Sequence, residues 1–120
     1  MPKRRSSFFQ SQFERTGTAE ELRVIHLDSD RRIIGLTHAK GDQETISMPI
    51  REILREACLI ETRGLILAHN HPSGDPTPSN ADKIATRRLA ELALLLDIYL
   101  IDHLIFGGDR WVSFRGLGLL

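Results

Sequence analysis

The chain has 120 residues, 41% of them apolar, which suffices for one ordinary domain with a packed core and leaves little for a second. Sixteen basic residues balance sixteen acidic ones, so no overall field draws the molecule to nucleic acid, an anionic membrane or an acidic substrate. The single cysteine, Cys58, excludes an internal disulfide and a zinc site of several thiolates, and a reducing cytoplasm is the expected setting.

Residues 1–20 are polar and lack a clear period, which predicts a mobile or docking tail ahead of a domain at 21–120. Phe8, Phe9 and Phe13 give that tail an apolar side suited to packing on the domain or on a second copy. It has no apolar stretch of the secretory kind, and no run approaches the roughly 20 residues of a membrane span. From Leu22 the pattern changes. LRVIHLD alternates as a strand, DSDRR carries turn chemistry, and IIGLTH reads as its hairpin partner.

After a second turn signal, AKGD, the segment QETISM gives a third short strand, and Ser47 is a candidate cap for a helix opening at Pro49. Ile50, Ile53, Leu54, Ala57 and Ile60 recur at helical spacing as its inner face, and Cys58 reads as a small buried residue. LILAH is a continuous apolar run of the sort covered on both faces, which predicts a central strand. HNHPSGDPTPS, with three prolines and a glycine, predicts a loop. A long helix follows from about Asn80 to Leu96, with Ile84, Leu89, Leu92, Ala93 and Leu96 as its expected buried stripe. YLIDHLIF and RWVSF then form a hairpin about Gly107-Gly108-Asp109. The order predicts an α/β fold, a mixed central β-sheet flanked by helices.

His69 and His71 lie two apart at the end of the central strand, so extended backbone aims both imidazoles to one side. Asp82 follows in the first helical turn, within reach of a loop of that length. Two imidazoles and a carboxylate, with a fourth position for water, is the donor count of a catalytic zinc site, and zinc lowers the pKa of such a water to about 7. Ser79-Asn80-Ala81-Asp82 is equally a helix-capping pattern, in which both side chains serve amides of the first turn. The joint occurrence of both histidines, a rigid loop and an acidic helix start favours metal, one zinc ion per chain.

The block HNHPSGDPTPSNAD resembles the signature of the JAMM (MPN-type) metallopeptidases, and is closer still to RadC-like proteins. The likeness extends from about Leu22 to Leu120 through LRVIHLD, PIREIL, TRRLAE, DHLIF and the closing SF-R-G-LGLL. It implies a JAB1/MPN, cytidine-deaminase-like architecture, zinc on His69, His71 and Asp82, and Ser79 at the scissile carbonyl or its oxyanion. It also implies cleavage of a peptide or isopeptide bond in a peptide or protein substrate, and a glutamate base on a strand before the His-x-His strand. Set against that pattern, His38 falls where the glutamate is expected. His38 is then a neutral base, an added ligand, or an inert residue of a module that binds metal without hydrolysis. Glu44 is the substitute acid, but a hairpin pairing His38 with Gln43 sends it to the other face.

His26 and His103 read as hydrogen-bonded strand histidines, and Asp102 as a group able to orient a metal-bound imidazole. Asp75, between Gly and Pro, has an ordinary turn role. RadC-like proteins carry a DNA-repair label, and Lys3, Arg4, Arg5, Arg87 and Arg88 are the side chains that would meet phosphates. The Phe-bearing tail and Leu117, Leu119 and Leu120 suggest a homo-oligomer. A nucleoside deaminase is excluded, because its paired cysteines are missing.

Overall fold

A computed structural model describes residues 19–40 and 48–120. The tail phenylalanines, Glu44, Ser47 and the expected strand in QETISM lie outside the described residues. The described elements are β1 (Glu21–Leu27), β2 (Ile33–Lys40), α1 (Ile50–Leu59), β3 (Gly64–Asn70), α2 (Asn80–Leu95), β4 (Tyr99–Gly107) and β5 (Arg110–Ser113).

The strands form one mixed sheet in the order β2-β1-β3-β4-β5. The alternating LRVIHL run pairs antiparallel with β2 across a turn in which Asp28 Oδ1 accepts the N–H groups of Asp30 and Arg32. β1 also runs antiparallel to β3, with Leu22 opposite His69. The start of β1 therefore lies beside the end of β3. β3 is central and wholly buried, as its continuous apolar run predicts, and β4 lies parallel to it.

Period-two alternation divides the core into two clusters. On one face Leu22, Val24, Leu65 and Leu67 pack with Ile53 and Ala57 of α1 and with Leu89 and Ala93 of α2. On the other, Ile25, Leu27, Ile66 and Ala68 pack with Leu104 and Phe106. Along β4 the alternation breaks once. Leu65 pairs with Leu100 but Ile66 pairs with Asp102, so Ile101 is passed over. Leu100 consequently belongs to the helix-side cluster and Leu104 to the opposite one, four residues on.

The buried stripe of α2 differs from the one expected. Thr86, Leu89 and Ala93 face inward, while Ile84, Leu92 and Leu96 are exposed. The helix is rotated because Thr86 is drawn inside, where its Oγ1 lies 2.7 Å from His103 Nδ1. On α1, Ile53 and Ala57 are buried as expected, but Cys58 is exposed. It directly follows Ala57, so the 100° step between helical neighbours carries it off the packed face.

Candidate metal centre

The two histidines are presented by different backbone states. His69 is the penultimate residue of β3, on the helix-side face with Leu65 and Leu67. His71 begins the loop, and its N–H donates to the Phe106 carbonyl at 2.7 Å, which prolongs the pairing with β4 by one step. Their Nε2 atoms stand 3.0 Å apart.

Asp82 arrives from the start of α2. The Ser79 hydroxyl accepts the Asp82 N–H at 3.0 Å and Asp82 Oδ2 accepts the Ser79 N–H at 2.8 Å, a complete capping box. Capping and site formation turn out not to be alternatives. The same carboxylate places Oδ1 3.5 Å from His69 Nε2 and Oδ2 3.3 Å from His71 Nε2. The cap is what fixes the rotamer that aims it at the histidines.

A fourth group comes from Glu20, the residue before β1, whose Oε1 lies 3.7 Å from His69 Nε2. Glu20, His69 and His71 offer ligand atoms within 4.8 Å of one another. Glu20 is reached through the sheet: it is two residues before Leu22, on the same face, and Leu22 is paired with His69.

His38 is not brought to this cluster. It stands opposite Arg23 on β2, with β1 between it and β3, and Arg23 in turn faces Ala68. Alternation puts that row on the face away from His69. His38 is exposed, at the rim of a cavity of about 300 Å³ lined by Leu22, Val24, Pro49 and Glu52. The acid that does approach the histidines is Glu20, just before β1, and not a residue at the place of His38.

Behind His69 lies a chain of buried hydrogen bonds. His69 Nδ1 meets His103 Nε2 at 2.8 Å, and His103 Nδ1 meets the Thr86 hydroxyl at 2.7 Å. Phe114 stacks on the His103 ring at 4.6 Å. For His69 Nε2 to turn a lone pair to the site, His69 Nδ1–H must donate to His103 and His103 Nδ1–H to Thr86. His71 is oriented independently, its Nδ1–H donating to the Asp75 carbonyl at 2.8 Å. Asp75 also has its expected turn role, accepting the Thr77 N–H and hydroxyl.

The neighbouring Asp102 does not touch an imidazole side chain. It accepts the Ser113 hydroxyl and the N–H groups of His103 and Arg115, and so ties down the C-terminal turn. His26 is a core histidine as expected, held between Thr62 and Thr37.

Charge in the cluster follows from burial. Burial drives the His69 pKa down to about 4, against a smaller upward pull from Asp82, and pushes His103 well below the ordinary histidine value. Both are neutral near pH 7. The hydrogen bond to Asp82 raises His71, outweighing burial. Burial would raise Asp82, but His71, His69 and the Ser79 cap together hold its carboxyl well below the usual range. Burial raises Glu20.

These groups fit a zinc ion. Bonds of about 2.0–2.1 Å to tetrahedral zinc put neighbouring ligand atoms about 3.3 Å apart. The two Nε2 atoms are 3.0 Å apart, and Asp82 offers Oδ1 at 3.5 Å from His69 and Oδ2 at 3.3 Å from His71, near that spacing. Two imidazoles whose second nitrogens are already engaged face two carboxylates, and in the metal-free cluster His71 shares a proton with Asp82 that a cation would displace. A divalent cation satisfies that arrangement.

A family model for the RadC-like JAB domain matches residues 1–119. The chain belongs to that family. The mixed five-stranded sheet with two helices accords with the α/β architecture of the JAB/MPN fold. Two curated relatives, UPF0758 proteins of Roseiflexus sp. (strain RS-1) and Roseiflexus castenholzii (strain DSM 13941 / HLO8), are 44% and 43% identical over 101 residues. Each match covers 83% of this chain and 43% of the relative, so the RadC-like JAB domain described here spans less than half their length. None of the described helices in this RadC-like domain is long and apolar enough to cross a membrane.

Sequence reasoning missed Glu20, the His103–Thr86 pair and the part played by the Asp75 carbonyl. Glu20 had a usable signal: in an antiparallel neighbour of β3, an acid just before the strand start falls beside the β3 end. The other two depend on a strand irregularity and a backbone oxygen, and neither leaves a mark in residue types.

Proposed function

We propose that this domain is a zinc-dependent hydrolase of peptide or isopeptide bonds, with His69, His71 and Asp82 holding one zinc ion. The observation that carries the reading is the convergence of two histidine Nε2 atoms and two carboxylates from the β1 start, the β3 end, the following loop and the α2 start. Zinc held there would supply a Lewis acid that polarises an amide carbonyl and renders water acidic enough to lose a proton near neutral pH.

The chain's own groups supply the remaining steps. Glu20 Oε1, on the rim of the cluster, takes the proton from water and returns it to the leaving nitrogen. Its elevated pKa suits a carboxylate that must both accept and release a proton. Ser79 Oγ is occupied as an acceptor by the Asp82 N–H, which leaves its own hydrogen to donate to the oxyanion. A carboxylate beside the two histidines, supplied by Glu20 rather than from the place of His38, supports hydrolysis over metal binding without chemistry.

The test is elemental analysis of protein purified without chelator, followed by cleavage of a fluorogenic peptide library. One zinc per chain is expected, and none in the His69→Ala/His71→Ala variant. Glu20→Gln should retain metal and lose about 10²–10⁴-fold in cleavage rate. Absence of zinc after loading, or cleavage by Glu20→Gln at the native rate, refutes the proposal.

A further inference from the structure

We propose that Asn70, the residue between the two histidines, is a positioning residue for Glu20. The inference rests on the zinc reading above and extends it to how the acid is held.

The β1–β3 ladder ends at the Leu22–His69 pair. Glu20 lies beyond it, at the edge of the regular sheet, where backbone hydrogen bonds no longer dictate where a side chain points. Asn70 replaces the missing rungs with its side chain. Its Oδ1 accepts the Glu21 N–H at 2.7 Å and its Nδ2 donates to the Ala19 carbonyl at 3.0 Å. Those two groups belong to the peptide units on either side of Glu20. A carboxamide has the donor and acceptor of a peptide bond, so Asn70 acts as one more strand residue across from Glu20. The amide orientation is forced, since the reverse would set donor against donor and acceptor against acceptor.

The clamp is anchored on rigid backbone. Asn70 ends the buried central strand, opposite Phe106 of β4, and is 8% exposed. Fixing both peptide planes about Glu20 fixes the direction of its Cα–Cβ bond, and with it the reach of a carboxylate that must stop 3.7 Å from His69 Nε2. The His-Asn-His triplet thus does two things at once. Its outer residues face the site that would hold the metal, and alternation sends the middle one the other way, to hold the acid. Alanine at position 70 makes neither bond, and aspartate keeps an acceptor for Glu21 while setting a carboxylate against the Ala19 carbonyl.

Two measurements on the whole chain test this. In metal-free protein, Asn70→Ala should speed hydrogen exchange of the Glu21 amide by about tenfold or more, and Asn70→Asp, which keeps the acceptor, by clearly less, with Leu67 and Leu104 amides still protected. With zinc titrated against a chromophoric chelator, Asn70→Ala should weaken binding about 3- to 10-fold in the native background and less than about 2-fold in Glu20→Gln, because the carboxylate it positions has lost its charge. Unchanged Glu21 exchange overturns the proposal. So does native zinc affinity in Asn70→Ala, or a loss of equal size in both backgrounds, which would make Asn70 merely structural. A native chain that takes up no zinc refutes the metal reading instead, and the exchange comparison alone then decides the role of Asn70.

Discussion

Replacing Gly107 with alanine should disturb the metal centre from the far side of its loop. Gly107 ends β4, where the backbone of the 74–76 segment crosses it. A Cβ there would stand 2.6 Å from Pro76 N and 2.8 Å from the carbonyl carbons of Gly74 and Asp75. These are main-chain atoms and cannot rotate away. Ordinary contact begins near 3.4 Å, so the loop must retreat by roughly 0.8 Å. That is enough to stretch the 2.8 Å bond from His71 Nδ1 to the Asp75 carbonyl out of hydrogen-bonding range. Overpacking of this kind costs about 1–3 kcal/mol, a fall of roughly 5–10 °C in Tm for a chain of this size. Loss of the group that orients a ligand costs about tenfold or more in metal affinity. Calorimetry and zinc competition measure the two effects separately. Gly116→Ala is the control, because its Cβ would meet only Ser113, at 3.5 Å, and should cost less than about 0.5 kcal/mol. If Gly107→Ala melts and binds zinc like Gly116→Ala, the crossing loop does not position His71.

Two further outcomes follow from the buried histidines. His103→Phe preserves the stacking surface on Phe114 but removes the partner of His69 Nδ1, and should weaken zinc by about 10–100-fold; Thr86→Val should weaken it less, and equal affinity in all three proteins would dismiss the hydrogen-bond chain. Metal-free protein should lose stability as the pH falls from about 6.5 towards 4. His26, His69 and His103 all have depressed pKa values, so the unfolded chain binds more protons across that window and stability is full only above it. His71, whose pKa is raised, works in the opposite sense, stabilising below its unfolded value and losing that contribution as pH rises through its folded one. Glu20, whose carboxyl is also raised, works in that same opposite sense, and the three buried rings outweigh these two. A Tm that is flat or rising as pH drops from 7 to 5 would contradict the burial of these rings.

Much of this was legible in the sequence because the relevant signals are local. The β1–β2 and β4–β5 hairpins, the buried central strand and the long capped helix follow from alternation, turn residues and a Ser-x-x-Asp pattern. So does the presentation of His69, which needs only extended backbone to the end of β3. Glu20 was hidden in a different way. Its role depends on which strands are neighbours, and a reading along the chain naturally looked for an acid in the second strand, where His38 stands. That strand lies outside β1, out of reach of β3. The α2 stripe failed for a related reason. Ile84 and Leu92 satisfy a hydrophobic pattern, but a threonine bonded to a buried histidine sets the rotation of the helix, and polarity alone marks such a residue as surface.

The residue passed over in β4 has a consequence for how one strand serves two purposes. A strictly alternating strand presents one character per side throughout its length: a side that is oily at the bottom is oily at the top. Skipping Ile101 exchanges the two sides midway. The lower part of β4 can thereby commit Leu100 to the hydrophobic layer beneath the helices, while the upper part turns His103 to that same side to meet His69, and Leu104 to the other. A regular ladder that kept Ile101 in step would pair it with Ile66, set Asp102 opposite Leu67, and carry His103 to the far side of the sheet, away from His69. The spacing between Tyr99 and Phe106 is thus part of the centre, as much as the residues that point into it.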